Sequence, residues 1–483
     1  MPLHRYFSRP TLHPTPLPRI GQCNFAVVFL LLPLLLVALP ARGLPPQLAA
    51  TPPMGWNSWD AYGLTITEAQ FRQNVRVLAG MRSHGWKYAV IDEGWYMQDP
   101  LASGAAAQHF VLDANGRLIP ALDRFPSARG GAGLRPIADW VHAQGLLFGI
   151  HLVRGIPRES VRRNLPIAGA KFTAADAGDT SDVCPWDDGN YGVRDNAAGQ
   201  AWYDAMIGLY ASWGVDFLKV DCISDHPYKA TEIRQIAAAI RKTGRPILLS
   251  LSPGPTALGH AAEVARYAQM WRISDDHWDV WSHVSEPGKS EFPLGTRQAF
   301  DRLAEWNAWA APGHWPDEDM LPFGVLEPHP GWGKPRHSRL TPTEEQTEFT
   351  LWSIARSPLI LGANLTQLDP GLRQMLQDRL RIALNQQGDG SPLAHLPSGW
   401  SQMRCWQSRI PSGEFAGLYL AVFNLGDQAQ TIAIDAATLR QLLPEQTVAA
   451  QPIQDGKPKG TIRQLTLPAH GSAILRLVPV ASH

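Results

Sequence analysis

Between about residues 51 and 362, short apolar runs alternate with longer amphipathic segments, and this constrains the fold more than any other feature of the chain. Eight runs read as strands: 54–57, 88–92, 146–151, 217–221, 247–251, 268–272, 313–317 and 358–362. Several are apolar at nearly every position. A strand tolerates that only when both faces are covered, as in a parallel sheet with helices outside and side chains packed within. Helices are expected between them, for example over 196–213, 228–243 and 343–356. The last opens with Thr343 and carries Gln346 three residues on, the spacing of a capping box. Eight such units predict an α/β fold, a (β/α)8 TIM barrel over residues 51–385. After about Asn385 the runs shorten (417–424, 431–434, 473–477) and are separated by Gly, Pro, Asn and Asp. That change predicts a smaller C-terminal antiparallel β-sandwich domain over 386–483.

The 483 residues suit a barrel of about 250 to 350 residues plus a smaller domain. The formal net charge is zero, so neither nucleic acid nor an anionic membrane is an expected partner. Arg5, Arg9 and Arg19 precede an apolar run over 25–39 that Pro33 interrupts and Ala41 follows. At about 15 residues the run is short for a membrane span, so residues 1–41 read as an export signal to the periplasm or exterior. An uncleaved anchor is the alternative, and only it would bring membrane contact. Loss of Cys23 with the signal leaves Cys184, Cys222 and Cys405, hence one pair and a spare, or none. No CxxC or HExxH occurs, so neither a metal nor a cofactor is expected. The 18 tryptophans suit sugar recognition, because indole faces pack on pyranose C–H groups, although most of them must be packing residues.

The chemistry lies where the apolar runs end. Catalytic groups of a (β/α)8 barrel project from the C-terminal ends of its strands. Here Ile91 leads to Asp92 and Glu93, Ile150 to His151, Phe217 to Lys219 and Asp221, Trp271 to Arg272, Asp275 and Asp276, and Trp315 to Asp317, Glu318 and Asp319. One such carboxylate is easily a salt-bridge partner. Acidic groups at four strand ends point to a shared mouth, where protons, cations or sugar hydroxyls must manage the repulsion. Paired carboxylates without a metal motif suggest glycoside hydrolysis, with one attacking the anomeric carbon and the other delivering a proton to the leaving oxygen. Lys219 and Asp221 lie two apart on one strand and so point to the same side. A barrel-interior ion pair is the plainer reading of that pair.

Pro52-Pro53-Met54-Gly55-Trp56-Asn57-Ser58-Trp59 resembles the opening strand of glycoside hydrolase family 27, the melibiase family of α-galactosidases. The likeness continues through Ile91-Asp92-Glu93-Gly94-Trp95, Trp213 to Asp221, Trp271 to Asp276, Trp315 to Leu321 and Leu351 to Leu359. These blocks stand in the family's order across residues 51–385. The resemblance implies a retaining exo-glycosidase for terminal α-D-galactosides of an oligosaccharide or polysaccharide, working through a covalent glycosyl-enzyme without a metal. It implies Asp221 as nucleophile and Asp276 as acid/base, with Asp275 the neighbour most easily confused with it. Trp59 matches the family's ring-stacking position, Asp92, Lys219 and Arg272 its hydroxyl-binding positions, and Asp319 an acidic residue near the site.

The departures bear on specificity. Glu93 stands where the family usually has a second aspartate, and its extra methylene reaches about an ångström further into the site. It should disfavour the hydroxymethyl of galactose, the group that arabinopyranose lacks, so a β-L-arabinopyranosidase is one alternative. His151 stands where the family often has tyrosine. Ser252 lies where the family reads the sugar's 2-substituent and resembles the serine of N-acetylgalactosaminidases, a second alternative. The resemblance also implies a Cys184–Cys222 disulfide, with Cys222 one residue earlier than usual; two buried thiols are the other reading. A barrel that only binds carbohydrate would require one of the two aspartates to be replaced. A metal-dependent hydrolase would require a ligand cluster.

Overall fold

The computed structural model describes residues 47–480 except 102–108, 226, 284–291, 329–331 and 455, so the expected export signal lies outside the described residues. Eight parallel strands form one sheet: β1 Met54–Asn57, β2 Tyr88–Ile91, β3 Leu147–Val153, β4 Phe217–Asp221, β5 Leu248–Leu251, β6 Met270–Arg272, β7 Trp315–Asp317 and β8 Leu359–Leu361. Each pairs with its predecessor in the chain from β1 to β7, and β8 pairs with β1. The sheet closes where Leu321, just past β7, bridges Leu361 of β8. The result is a (β/α)8 barrel. All eight expected strands are present, each displaced at its ends by no more than two residues.

The strands are short and apolar because both faces are covered. Ile91, Phe148, Ile150, Leu218 and Val220 are fully buried or nearly so. Gly149 lets β2 and β4 close on β3: a Cβ there would stand 2.8 Å from Val90 Cγ2 and 2.9 Å from Phe217 Cβ. Register then places polar side chains together at one end. His151 lies opposite Lys219, Val153 opposite Asp221, and Arg272 opposite Asp317.

The helices Ala197–Trp213 and Ala230–Thr243 lie where the periodicity expects them. The capping box of the helix Pro342–Ala355 does not. The cap is Thr341, whose hydroxyl accepts from Glu344 N while Glu344 Oε2 accepts from Thr341 N at 2.7 Å. Thr343 and Gln346 sit inside the helix because Pro342, which lacks an N–H, takes the first helical position, where no donor is required.

Beyond the barrel, Ser391–Pro392, Met403–Ile410, Gly417–Asn424, Ser472–Pro479, Val448–Gln454 and Lys457–Pro458 form a six-stranded antiparallel sheet. A second sheet, Gln430–Ala433 with Gln464–Leu467, shares a core with it through Ile432, Leu467, Leu420 and Val422. The helix Arg379–Gln387 runs across the boundary expected at residue 385. The other face of the large sheet gives Trp406, Ala421, Phe423 and Leu425 to the barrel's own core, and Phe423 meets Phe300 edge-to-face with ring centroids 5.0 Å apart. Among the described residues no helix is long and apolar enough to cross a membrane.

Candidate active site

The strand ends open into a cavity of about 230 Å³, below the roughly 300 Å³ at which drug-sized ligand pockets begin. That room suits one sugar ring. Trp59, Asp92, Glu93, Lys219, Asp221, Ser252, Arg272, Asp276 and Asp319 all line it.

Asp92 is held from two sides. Asn57 Nδ2 donates to its Oδ2 at 2.6 Å and Lys219 Nζ at 2.8 Å. Burial opposes ionisation there, but Lys219, His151 and these hydrogen bonds keep the Asp92 carboxyl well below the ordinary carboxylate range. Lys219 is raised in return, because Asp92 and Asp221 outweigh the burial of its ammonium.

Asp221 ends β4. The peptide N–H of Cys222 donates to its Oδ1 at 2.5 Å, and His151 Nε2 lies 3.4 Å from its Oδ2. Burial alone would raise Asp221; the His151 hydrogen bond and charge, Lys219 and the Cys222 N–H reverse that and lower it. Cys222 has φ +58°, uncommon for a side chain branching from an L-residue, and is tied to Cys184 by a disulfide with Cα atoms 6.0 Å apart. His151 therefore touches Asp221 but does not line the pocket where it was expected to bind sugar: its side chain is 1% exposed, buried behind the Asp221 carboxylate.

Asp276 comes from the segment after β6. Arg272 Nη2 reaches its Oδ1 at 3.1 Å and Asp319 Oδ2 at 2.8 Å, and His277 N donates to Asp319 Oδ2 at 2.9 Å. Desolvation within the pocket pushes the Asp276 carboxyl up to about 6 even though its side chain remains 41% exposed; Arg272 opposes this, while Asp319, Asp221 and Asp275 add to it. The two aspartates therefore share one cavity with opposite proton affinities, one favouring its anion and the other holding its proton toward neutrality. A nucleophile and a proton donor need that division.

The structure also brings in residues that the sequence did not single out. Asp60, Trp186, Asp187 and Trp278 line the same cavity. Asp60 directly follows Trp59 and Trp278 lies two residues after Asp276, so both were legible as neighbours. Trp186 and Asp187 arrive from the loop after β3, with only Cys184 as a signpost. Among the described residues no cluster of His, Cys, Asp or Glu is arranged to hold a metal ion.

The sequence model of the α-galactosidase A family matches residues 187–387. An α-galactosidase A of Cellvibrio japonicus (strain Ueda107) is 28% identical over 449 residues, 90% of this chain and 93% of that protein. An α-N-acetylgalactosaminidase of Gallus gallus is 31% identical over 358 residues, 70% of this chain and 71% of that protein. Among solved structures, a family 27 β-L-arabinopyranosidase from Geobacillus stearothermophilus superposes with a TM-score of 0.81 at 36% identity, over 90% of this chain and 98% of that one. A putative α-N-acetylgalactosaminidase from Bacillus halodurans C-125 gives 0.75 and 35% over the same shares. This chain belongs to glycoside hydrolase family 27, the melibiase family, and is a glycoside hydrolase.

Proposed function

We propose that this enzyme is a retaining exo-glycosidase that removes terminal α-D-galactosyl groups by double displacement, with Asp221 as nucleophile and Asp276 as acid/base. The observation that carries the reading is the pairing of an acidified Asp221 with a proton-retaining Asp276 on one ring-sized cavity. In the first step an Asp221 carboxylate oxygen bonds to the anomeric carbon. The glycosidic C–O bond breaks, and the departing oxygen takes the Asp276 proton. In the second step Asp276, now ionised, removes a proton from water as its oxygen attacks the same carbon and Asp221 leaves. Two inversions restore the starting configuration. Trp59 offers a ring face, and Asp92, Lys219, Arg272 and Asp319 offer hydroxyl partners.

A second reading is favoured by Glu93, which lines the pocket and reaches further than aspartate. It narrows the glycone site toward β-L-arabinopyranosides, the activity carried by the structural relative at 36% identity. Ser252, a small side chain on the wall, keeps α-N-acetylgalactosaminides in the comparison. A panel of nitrophenyl glycosides of the three sugars decides among them. Turnover of the α-galactoside and retention of configuration are expected; release from the β-L-arabinopyranoside alone moves the assignment to the second reading. Asp221→Asn abolishes turnover under either, and a variant with near-parental activity overturns both. The Cys184–Cys222 disulfide supports function in an oxidising compartment outside the cytoplasm.

A further inference from the structure

We propose that Asp187 is a specificity-determining residue: its carboxyl is hydrogen-bonded to that of Glu93 and fixes where Glu93 stands in the glycone pocket. The proposal rests on the glycone reading above and deepens it, since it names what sets the reach of Glu93.

Two carboxyl groups hydrogen-bond only if one carries a proton. The neighbours decide which. Asp92 is ionised against Lys219, and Asp221 is ionised against His151 and the Cys222 N–H, so neither takes it. Asp187 Oδ1 already accepts the Gly189 N–H at 2.8 Å, so that oxygen is engaged as an acceptor. Glu93 is therefore the donor. Burial, the Asp187 charge and the nearby Asp221 and Asp92 carboxylates all drive the Glu93 carboxyl upward. The Tyr96 phenol, itself raised, also lies beside the pair, and Lys219 lines the same cavity, while Asp188 pairs with Arg158 at 3.5 Å.

Asp187 can hold Glu93 only if its own loop is fixed, and that loop is tied down at several points. Cys184 is bonded to Cys222, next to Asp221. Asp182 binds the buried Arg154 at 2.9 Å and Lys229 at 2.7 Å. Arg154 in turn donates to the Cys222 carbonyl at 2.6 Å. Gly189 lies against Phe110, where a Cβ would stand 2.4 Å from the ring. The wall of the pocket is thus built from the segment after β2 and a strapped loop, which meet at the Glu93–Asp187 hydrogen bond. At low pH the pair is intact. As pH rises through its titration the proton is lost, the two anions repel, and Glu93 turns away.

The test compares kcat/KM for nitrophenyl β-L-arabinopyranoside and α-D-galactoside. Asp187→Ala releases Glu93, so the ratio should move roughly tenfold or more toward the galactoside. Asp187→Asn keeps a donor to an ionised Glu93, so the ratio should stay within about threefold of the parent and lose its pH dependence. In a Glu93→Asp background, Asp187→Ala should add less than about twofold, because the two changes act through one contact. A ratio within about twofold of the parent in Asp187→Ala, or full multiplicativity with Glu93→Asp, overturns the proposal. Infrared spectroscopy supplies a readout independent of turnover. Glu93→Gln and Asp187→Ala should each remove the same protonated-carboxyl band, and its persistence in Asp187→Ala overturns the pairing. If the parent cleaves neither glycoside, the glycone reading falls, while the infrared result still decides whether the pair exists.

Discussion

The division of labour between Asp221 and Asp276 is electrostatic, and it predicts a pH profile. Asp221 is lowered, so the acid limb of kcat/KM should lie below the ordinary carboxylate range. Asp276 is raised to about 6 and is needed protonated, so the rate should fall as pH rises through that value. The enzyme is therefore expected to work best on the acid side of neutrality. Asp276→Ala should remove the basic limb and spare substrates whose leaving group needs no proton; a basic limb that survives the substitution assigns it to another group. His151 touches Asp221 and not the cavity, which makes it a positioning residue. His151→Ala removes the hydrogen-bond partner that helps lower Asp221, so the acid limb should move upward with little change in KM. A change in KM with a fixed acid limb would instead mean that the imidazole reaches the sugar.

Among the elements, the helix Pro342–Ala355 offers the clearest contrast between a pattern and its realisation. Both Thr341 and Thr343 stand three residues before a glutamate or glutamine. Only Thr341 has the extended backbone, at φ −69° and ψ 159°, that lets its hydroxyl accept from an N–H inside the helix. Thr341→Ala should cost about 1 kcal/mol in chemical denaturation, whereas Thr343→Ala should stay within about 0.5 kcal/mol. Equal losses would contradict the assignment of the cap. The barrel strands, by contrast, were legible to within two residues at each end. An all-apolar run of four or five residues between amphipathic segments has few other stable uses.

For the molecule as a whole, the C-terminal sheet is part of the barrel's stability. Phe423 and Trp406 are buried in the barrel's own core cluster, and His470 stacks on Trp281 with ring centroids 4.1 Å apart while bonding Glu344 and Asp427. Phe423→Ala should cost about 3 to 5 kcal/mol, and truncation after residue 385 should leave a barrel that fails to fold. A stable, active truncated barrel would show that this contact surface is dispensable. The change in periodicity after Asn385 signalled a different architecture, but not that one of its faces completes the first.

The strand ends carry the acidic and basic groups in order along the chain, and a parallel barrel has only one rim for them. Asp92, Lys219, Asp221, Arg272 and Asp319 were for that reason readable before any coordinates, since each follows directly from where an apolar run stops. Asp187 was not, because its place depends on how a long loop folds back across the rim, and loop closure leaves no periodic trace. Nor was the buried seat of His151, which the pairing of β3 with β4 assigns. The proton balance between Asp221 and Asp276 belongs with these. It arises from distances to Arg272, His151 and a peptide N–H, which exist only once residues distant along the chain share one cavity.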